Sequence, residues 1–242
     1  MANPILGGGN KYRDYLTDED IANTKWRFGP PNYDVVDKLF EQERTHEWPE
    51  GSLEEKVQRL LKTWEMELVH KADPNQFKTL DPNKFTISVN VLIGRKGLRP
   101  EEAAEAGGSY NIFLQTSLPE NVRIYNPDEE TGESSQIVFR SVFLRGFAIE
   151  ILQVYSGPPK IVYRFRHWGH MEGPFKGHAP TGELVEFFGI GTLEVEKESN
   201  KIVKAEMFFD RGELLGPLVK GESNGESTSA MALAAAKCPF MQ

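Results

Sequence analysis

The stretch IVYRFRHWGHM at residues 161–171 has the alternation of side chains that is typical of a β-strand. The same alternation recurs in ELVEFFGIGTLEV at residues 183–195. In the first, Tyr163, Phe165 and His167 share one face, because successive strand residues point to opposite sides. In the second, two glycines interrupt the apolar face. Small residues in mid-strand leave room or permit strong bending, so the two segments predict a bent sheet.

Further strands extend this sheet in both directions along the chain. They are predicted at 85–92, 147–155 and 202–210, and consecutive strands joined by short turns pair antiparallel. Residues 147–155 are apolar on both faces, which predicts a central strand. A bent sheet with helices packed on its concave face forms a cone, and the open end of a cone is a pocket.

Helices are predicted mainly in the first part of the chain. The clearest begins after Ser52, which has capping-box spacing to Glu55. Its apolar residues recur at helical spacing, and they are Leu53, Val57, Leu60, Leu61, Trp64 and Leu68. Other helices are predicted after Thr17, at 33–44, at 100–106, at 134–143 and from 211. Strands and helices together indicate an α+β fold with a curved, mixed or antiparallel sheet.

One domain is predicted between two unstructured ends. Residues 1–10 read as a flexible leader, 11–220 as a single α+β domain and 221–242 as a disordered tail. The domain includes an N-terminal helical extension at 11–50 and an irregular insertion at 93–134.

The charge and the cysteine content restrict the class of partner. The 242-residue chain has a formal net charge of −8 at pH 7, which disfavours nucleic-acid and anionic-membrane partners because both need a basic surface. Its one cysteine, Cys238, allows no internal disulfide and favours a reducing compartment. No apolar run is typical of a secretory signal or a membrane span, so we expect a cytoplasmic protein and leave the nucleus open as an additional compartment. The pair Cys238-Pro239 is either an exposed tail thiol or a haem-regulatory signal.

Residues 139–218 resemble the SnoaL-like group of the nuclear transport factor 2-like superfamily. The motifs that carry this resemblance are GPFKG at 173–177, APTG at 179–182 and an aspartate followed by LLG at 210–216. The resemblance implies a cone-shaped, cystatin-like fold with helices on the concave face of the sheet.

From Lys11 to the tail, the chain more closely resembles the plant pathogen-related protein family. The similarity is carried by KWR at 25–27, PNYD at 31–34, GSLEE at 51–55, KTWEME at 62–67, FRHWGH at 165–170 and CPF at 238–240. Membership implies a defence-associated protein without an assigned reaction.

Asp210 and His167 are the candidate catalytic residues. In the SnoaL-like cyclases that this segment resembles, the aspartate at this position is a general acid or base beside a ring ketone. Met207 stands where those enzymes carry a histidine, and this departure argues against the same reaction. Asp210 and Glu213 also have capping-box spacing, so capping of the next helix is an alternative. His167 would polarise the substrate or serve as a hydrogen-bonded core histidine.

Aromatic and acidic side chains predict the lining of a ligand pocket. The predicted ligand-binding residues are Trp64, Tyr163, Phe165, Phe187, Glu206, Phe208 and His178. The aromatic residues could equally form core. Glu206 and Phe208 share a face with Asp210, unless Glu206 faces solvent and pairs with an arginine. No metal and no cofactor is predicted, because His167 and His170 point to opposite faces of their strand.

The sequence therefore predicts a protein of plant defence or specialised metabolism with a pocket for a small apolar metabolite. Three functions stay open. The first is a cofactor-free acid/base isomerase, cyclase or dehydratase in which Asp210 moves the proton. The second is a non-catalytic ligand-binding module. The third is an interaction protein, either a homodimer formed through the sheet or a helper of other enzymes.

Overall fold

The computed structural model describes residues 10–90 and 97–223. Most of the predicted leader and of the predicted tail, including Cys238 and Pro239, lies outside the described residues. The helices are α1 Asp18–Asn23, α2 Asp34–Glu43, α3 Leu53–His70, α4 Pro100–Glu105, α5 Ser109–Phe113, α6 Gly132–Val142 and α7 Arg211–Leu218. The strands are β1 Thr86–Val89, β2 Ala148–Ser156, β3 Lys160–His170, β4 Leu184–Val195 and β5 Ile202–Phe209. Short 3-10 turns occupy Pro74–Gln76, Glu120–Val122 and Pro127–Glu129.

The five strands form one mixed sheet in the order β1-β5-β4-β3-β2. β2, β3, β4 and β5 pair antiparallel in succession, as their short connections predict. β1 lies parallel to β5, because more than a hundred residues of intervening chain allow it to return to the far edge. The predicted α+β class with a curved mixed sheet is confirmed.

The prediction that β2 is a central strand is wrong, because β2 forms an edge of the sheet. Its open edge is covered by side chains instead of by a further strand. Gln58 on α3 donates to the carbonyl of Ile149 (3.2 Å) and accepts from the amide of Ile151 (2.6 Å). The indole of Trp48 donates to the carbonyl of Ile151 (2.9 Å). The first half of the strand is therefore buried on both faces and blocked along its edge, which protects that half from pairing with another chain.

Helix α3 is the central element against which the sheet packs. It begins where the Ser52 hydroxyl accepts from the amide of Glu55 (3.2 Å), as the capping pattern predicts. Val57, Leu61 and Trp64 join the main core, whereas Leu53 lies exposed in the first turn. The core side of the sheet, called here the inner face, meets α3 together with α6 and α7.

The two glycines of β4 do not leave room inside the sheet. Gly191 pairs with Tyr163 and Gly189 pairs with Phe165 across β3 and β4. A Cβ atom at either glycine would collide with the ring of its partner. Both rings are fully buried, so the glycines accommodate aromatic side chains laid flat on the neighbouring strand.

The opposite, outer face of the sheet is only partly covered. Helix α2 packs there, where Leu39 and Phe40 form a small cluster with Ala148 of β2 and Trp168 of β3. On β4 and β5, Phe188 is 45% exposed and Phe208 is 42% exposed. The half of the outer face formed by β4 and β5 is therefore open.

Candidate functional site

Asp210 caps a helix. It is the N-cap residue of α7, and its carboxylate accepts from the amide of Gly212 (2.7 Å) while the side chain stays exposed. Such a contact satisfies a free amide of the first turn. Asp210 therefore occupies the helix-capping position that the sequence offered as an alternative. Its partner is Gly212 and not Glu213. Its role as an acid or base stays a prediction.

Glu206 and Phe208 lie on the outer face of β5, away from the aromatic residues that were predicted to line the same pocket. Glu206 accepts from the Thr192 hydroxyl (3.2 Å) and pairs with Lys204 (3.1 Å). The predicted partner was an arginine, but Lys204 lies two residues away on the same strand face. The structure thus does not bring Glu206 and Phe208 together with Tyr163 or Phe165, because alternate strand residues point to opposite sides.

The remaining aromatic candidates form part of the core. Trp64, Tyr163, Phe165 and Phe187 are each no more than 5% exposed. Two of them bury a polar atom that has no hydrogen-bond partner among the described residues, the Trp64 indole nitrogen and the Tyr163 hydroxyl. Burial raises the pKa of the Tyr163 phenol, so the hydroxyl stays protonated. Buried polar atoms are nearly always paired, so these two mark an unusual part of the core.

His167 lies in a continuous row of aromatic rings on the inner face. The row, called here the aromatic row, consists of Phe143, Phe147, His167, Phe187, Phe209 and Phe113. The His167 ring stacks on Phe147 at 4.2 Å between centroids and on Phe187 at 5.5 Å. Phe187 in turn lies 4.7 Å from Phe209.

The His167 imidazole is uncharged. Burial lowers its pKa to about 3, and a hydrogen bond with the backbone of Ala148 acts in the opposite direction. Its Nδ1 atom is buried and has no hydrogen-bond partner within residues 10–90 and 97–223. As residues, His167, Phe113, Phe147 and Phe209 are each partly accessible. The row therefore combines flat apolar surfaces with one buried, neutral hydrogen-bonding atom.

Sequence reasoning placed Phe187 and His167 in the site but missed Phe113, Phe147 and Phe209. Phe209 pairs with Gly189 across β4 and β5, and that register would have identified it. The sequence pattern favoured the alternate residues Glu206 and Phe208 because they share a face with Asp210.

His178 lies in the loop between β3 and β4, apart from the aromatic row. Its Nδ1 donates to the carbonyl of Gly221 (3.1 Å), and its backbone bridges Phe175 and Ser223. His170 pairs instead with Glu43 (3.0 Å) on the outer face. In the described chain no three His, Cys, Asp or Glu side chains are placed to hold a metal ion. No helix of residues 10–90 and 97–223 is both long and apolar enough to cross a bilayer.

Comparisons with known proteins identify relatives by sequence and by shape. No protein-family model matches the chain. Among solved structures, it is similar to a proposed SnoaL-like polyketide cyclase from Jannaschia Sp. CCS1 (13% identity, 73% of this chain, 100% of that chain, TM-score 0.39). It is also similar to a nuclear transport factor 2-like protein from Burkholderia thailandensis (14% identity, 62% and 86%, TM-score 0.33). At these TM-scores the similarities carry no argument for a reaction or a ligand.

A sequence relative is much closer. The chain is 51% identical over 239 residues to the "Pathogen-related protein" of Hordeum vulgare, a match that covers 98% of this chain and 97% of the relative. Identity at this level over nearly the whole of both chains shows that this chain belongs to the pathogen-related protein family.

Proposed function

We propose that the chain is a binding protein for a small, largely apolar aromatic molecule, which it holds at the aromatic row. The observation that carries the proposal is the unpaired Nδ1 atom of His167 inside a row of stacked rings. Rings favour offset-stacked or edge-on contact with another aromatic group. A neutral imidazole would pair with a hydroxyl or carbonyl group of such a molecule without requiring it to be charged.

The unpaired indole of Trp64 and hydroxyl of Tyr163 support the same proposal from deeper in the core. Tyr163 lies four residues before His167 on β3, so its hydroxyl belongs to the same inner face as the aromatic row.

Binding without catalysis is favoured over acid/base chemistry. Of the two predicted carboxylates, Asp210 caps α7 and Glu206 pairs with Lys204 on the outer face. The proton transfer predicted for Asp210 would need its carboxylate to leave the helix terminus. The name of the barley relative supports a setting in plant defence, and the single cysteine supports the cytoplasm as the compartment.

The test uses 2-naphthol as the probe, and naphthalene as the matched compound without a hydroxyl group. We expect calorimetry to detect saturable binding of both to the wild-type chain. His167→Phe keeps the ring stack and removes the hydrogen bond, so it should weaken binding of 2-naphthol about three- to tenfold and leave naphthalene unchanged. Failure of the wild type to bind either compound, or equal binding of 2-naphthol by His167→Phe, would refute the proposal.

Two further variants serve as controls for this experiment. His46→Phe changes an exposed histidine next to Trp48, and it should bind both compounds as the wild type does. Asp210→Asn should also bind them unchanged, whereas loss of binding in Asp210→Asn would favour the acid/base function.

We propose a second copy of this chain as the partner of the open half of the outer face. Arg164, Ile190 and Phe208 lie side by side there on β3, β4 and β5. A two-fold axis along β4 would lay β3 of one copy over β5 of the other. Arg164 would then face Phe208 and Glu206 of the second copy. Its guanidinium would lie over the Phe208 ring and beside the Glu206 carboxylate. The charges are thus complementary about one axis.

A further inference from the structure

The segment between α5 and α6 presents three apolar side chains to solvent. Leu118 is 52% exposed, Val122 is 54% exposed and Ile124 is 43% exposed. A large apolar side chain that is exposed singly needs no explanation, but several that lie together mark an interaction surface. The loop that carries them, residues 118–128, is called here the braced loop.

A single arginine holds this loop in one shape. Nε of Arg123 donates to the carbonyl of Leu118 (2.8 Å), and Nη1 donates to the side chains of Asn126 (2.8 Å) and Asp128 (2.6 Å). The side-chain amide of Asn126 in turn donates to the carboxylate of Glu120 (3.2 Å). The loop therefore closes on itself through its own side chains, as compact surface loops with adjacent ends do.

Tyr125 anchors the loop in the core. Its side chain is buried, and its hydroxyl donates to the side chain of Asn111 (2.5 Å). The backbone at Arg123 is extended, so neighbouring side chains alternate in direction. Because Arg123 and Tyr125 are held by the protein, Val122 and Ile124 project outward between them. The exposed position of the apolar side chains is therefore built into the loop.

The charges around the braced loop are negative. Asp128 is neutralised by Arg123, whereas Glu120 has no basic partner among the described residues. Glu129 and Glu133 follow the loop, lie exposed and form no ion pair within residues 10–90 and 97–223. An apolar centre with a polar rim is the usual anatomy of a protein–protein interface. A negative rim is complementary to a basic partner surface.

We propose that the braced loop docks on a partner protein that offers an apolar strip edged by lysine or arginine side chains. Leu118, Val122 and Ile124 pack on the strip, and the unpaired carboxylates meet its basic edges. Docking orders few groups, because the shape of the loop is fixed beforehand. A lipid surface is disfavoured, since the cytoplasmic leaflet carries the same sign of charge as the loop.

The test measures by calorimetry the binding of the full-length chain to an amphipathic helical peptide of leucine and lysine, which presents an apolar strip with basic edges. The same peptide with glutamate in place of each lysine should not bind. Val122→Ser combined with Ile124→Ser should weaken binding of the lysine peptide at least about tenfold, because less apolar surface leaves water. Val35→Ser combined with Leu53→Ser is the matched control. Both residues are also exposed, on α2 and α3, and this variant should bind as the wild type does.

Replacement of carboxylates tests the rim separately. Glu129→Gln combined with Glu133→Gln should weaken binding of the lysine peptide about three- to tenfold and reduce its dependence on salt. Glu50→Gln combined with Glu198→Gln removes the same charge at two other exposed positions, and it should bind as the wild type does. His167→Phe should also leave peptide binding unchanged, which separates this surface from the aromatic row.

Three results would overturn the proposal. The first is a wild type that does not bind the lysine peptide, or equal affinities for the Val122→Ser/Ile124→Ser variant and its control. The second is wild-type binding to phosphatidylcholine vesicles that this variant loses, which would assign the loop to a lipid surface. The third is a lower mass of this variant in sedimentation, which would assign the loop to a second copy of the chain.

Discussion

Lys62 is buried and has no carboxylate partner in the part of the chain that the structure describes. It lies on α3 with 2% of its surface exposed, and its ammonium group lies 3.2 Å from the centre of the Phe40 ring and 4.8 Å from that of Tyr12. Lys71, the C-cap residue of the same helix, is also buried but pairs with Glu67 at 2.7 Å. Burial lowers the pKa of Lys62 to about 7, with the charge of Arg13 acting in the same direction. The two rings offset part of this cost, since a cation over an aromatic face is attracted to it.

Replacement of Lys62 by methionine should stabilise the protein at low and neutral pH. The folded pKa lies below the unfolded value of 10.5, so the unfolded chain holds more protons between about pH 7 and 10.5 and wild-type stability rises with pH there. Lys62→Met removes this buried charge and should raise the free energy of unfolding by roughly 2 kcal/mol at pH 6. Its stability should also change less between pH 7 and 10.

Urea denaturation at a series of pH values measures both effects. Lys56→Met on the exposed side of α3 is the control, and it should follow the wild-type pH profile. A Lys62→Met variant that is less stable than the wild type at pH 6 would show that the ring contacts outweigh the cost of burial.

The individual elements were largely predictable because their signals are local. The Ser52 cap, the apolar stripe of α3 and the alternation of β3 depend on residues close in sequence. The edge position of β2 was not predictable in this way. The apolar side chains of β2 indicate that both faces are buried, but they do not show what lies along its edge. That edge is covered by Gln58 and Trp48, about one hundred residues away along the chain.

The pairing of β4 glycines with β3 rings gives a prediction at the level of the sheet. In Gly191→Ala the new methyl group would collide with the Tyr163 ring, so the free energy of unfolding should fall by about 2–3 kcal/mol. Tyr163→Val removes the obstructing ring. In that background, Gly191→Ala should cost less than half as much, because the two residues are in direct contact.

A double-mutant cycle in urea measures this coupling. Gly216→Ala is the control, since a Cβ at this position in α7 meets no atom within 4 Å, and it should leave stability unchanged or slightly raised. Equal losses from Gly191→Ala in the two backgrounds would mean that Tyr163 is not the obstacle.

At the scale of the whole molecule, the aromatic row combines residues that the sequence keeps far apart. His167 and Phe187 were found because neighbouring strands carry them, whereas Phe113 was missed because it lies on α5, far from those strands along the chain. The N-terminal extension adds to this effect. It wraps α3, with Arg13 held by Asp37 and the amide of Asp14 bonded to Thr63, and turns a surface helix into a central one.

The half of the outer face formed by β4 and β5 is open, and its proposed occupant can be tested by charge exchange. If two copies pack about an axis along β4, Arg164 of one copy faces Glu206 of the other. We therefore expect the wild type to sediment at twice the mass of one chain and Arg164→Glu to sediment as a single chain, because like charges then meet at the interface. The double variant Arg164→Glu with Glu206→Arg should restore the dimer, since the exchange recreates the opposite-charge pair in reverse. Lys197→Glu, in the turn between β4 and β5, is the control for net charge and should remain dimeric. A wild-type chain that sediments at the mass of a single chain would rule out this partner. Dimerisation that persists in Arg164→Glu would place the contact on another surface.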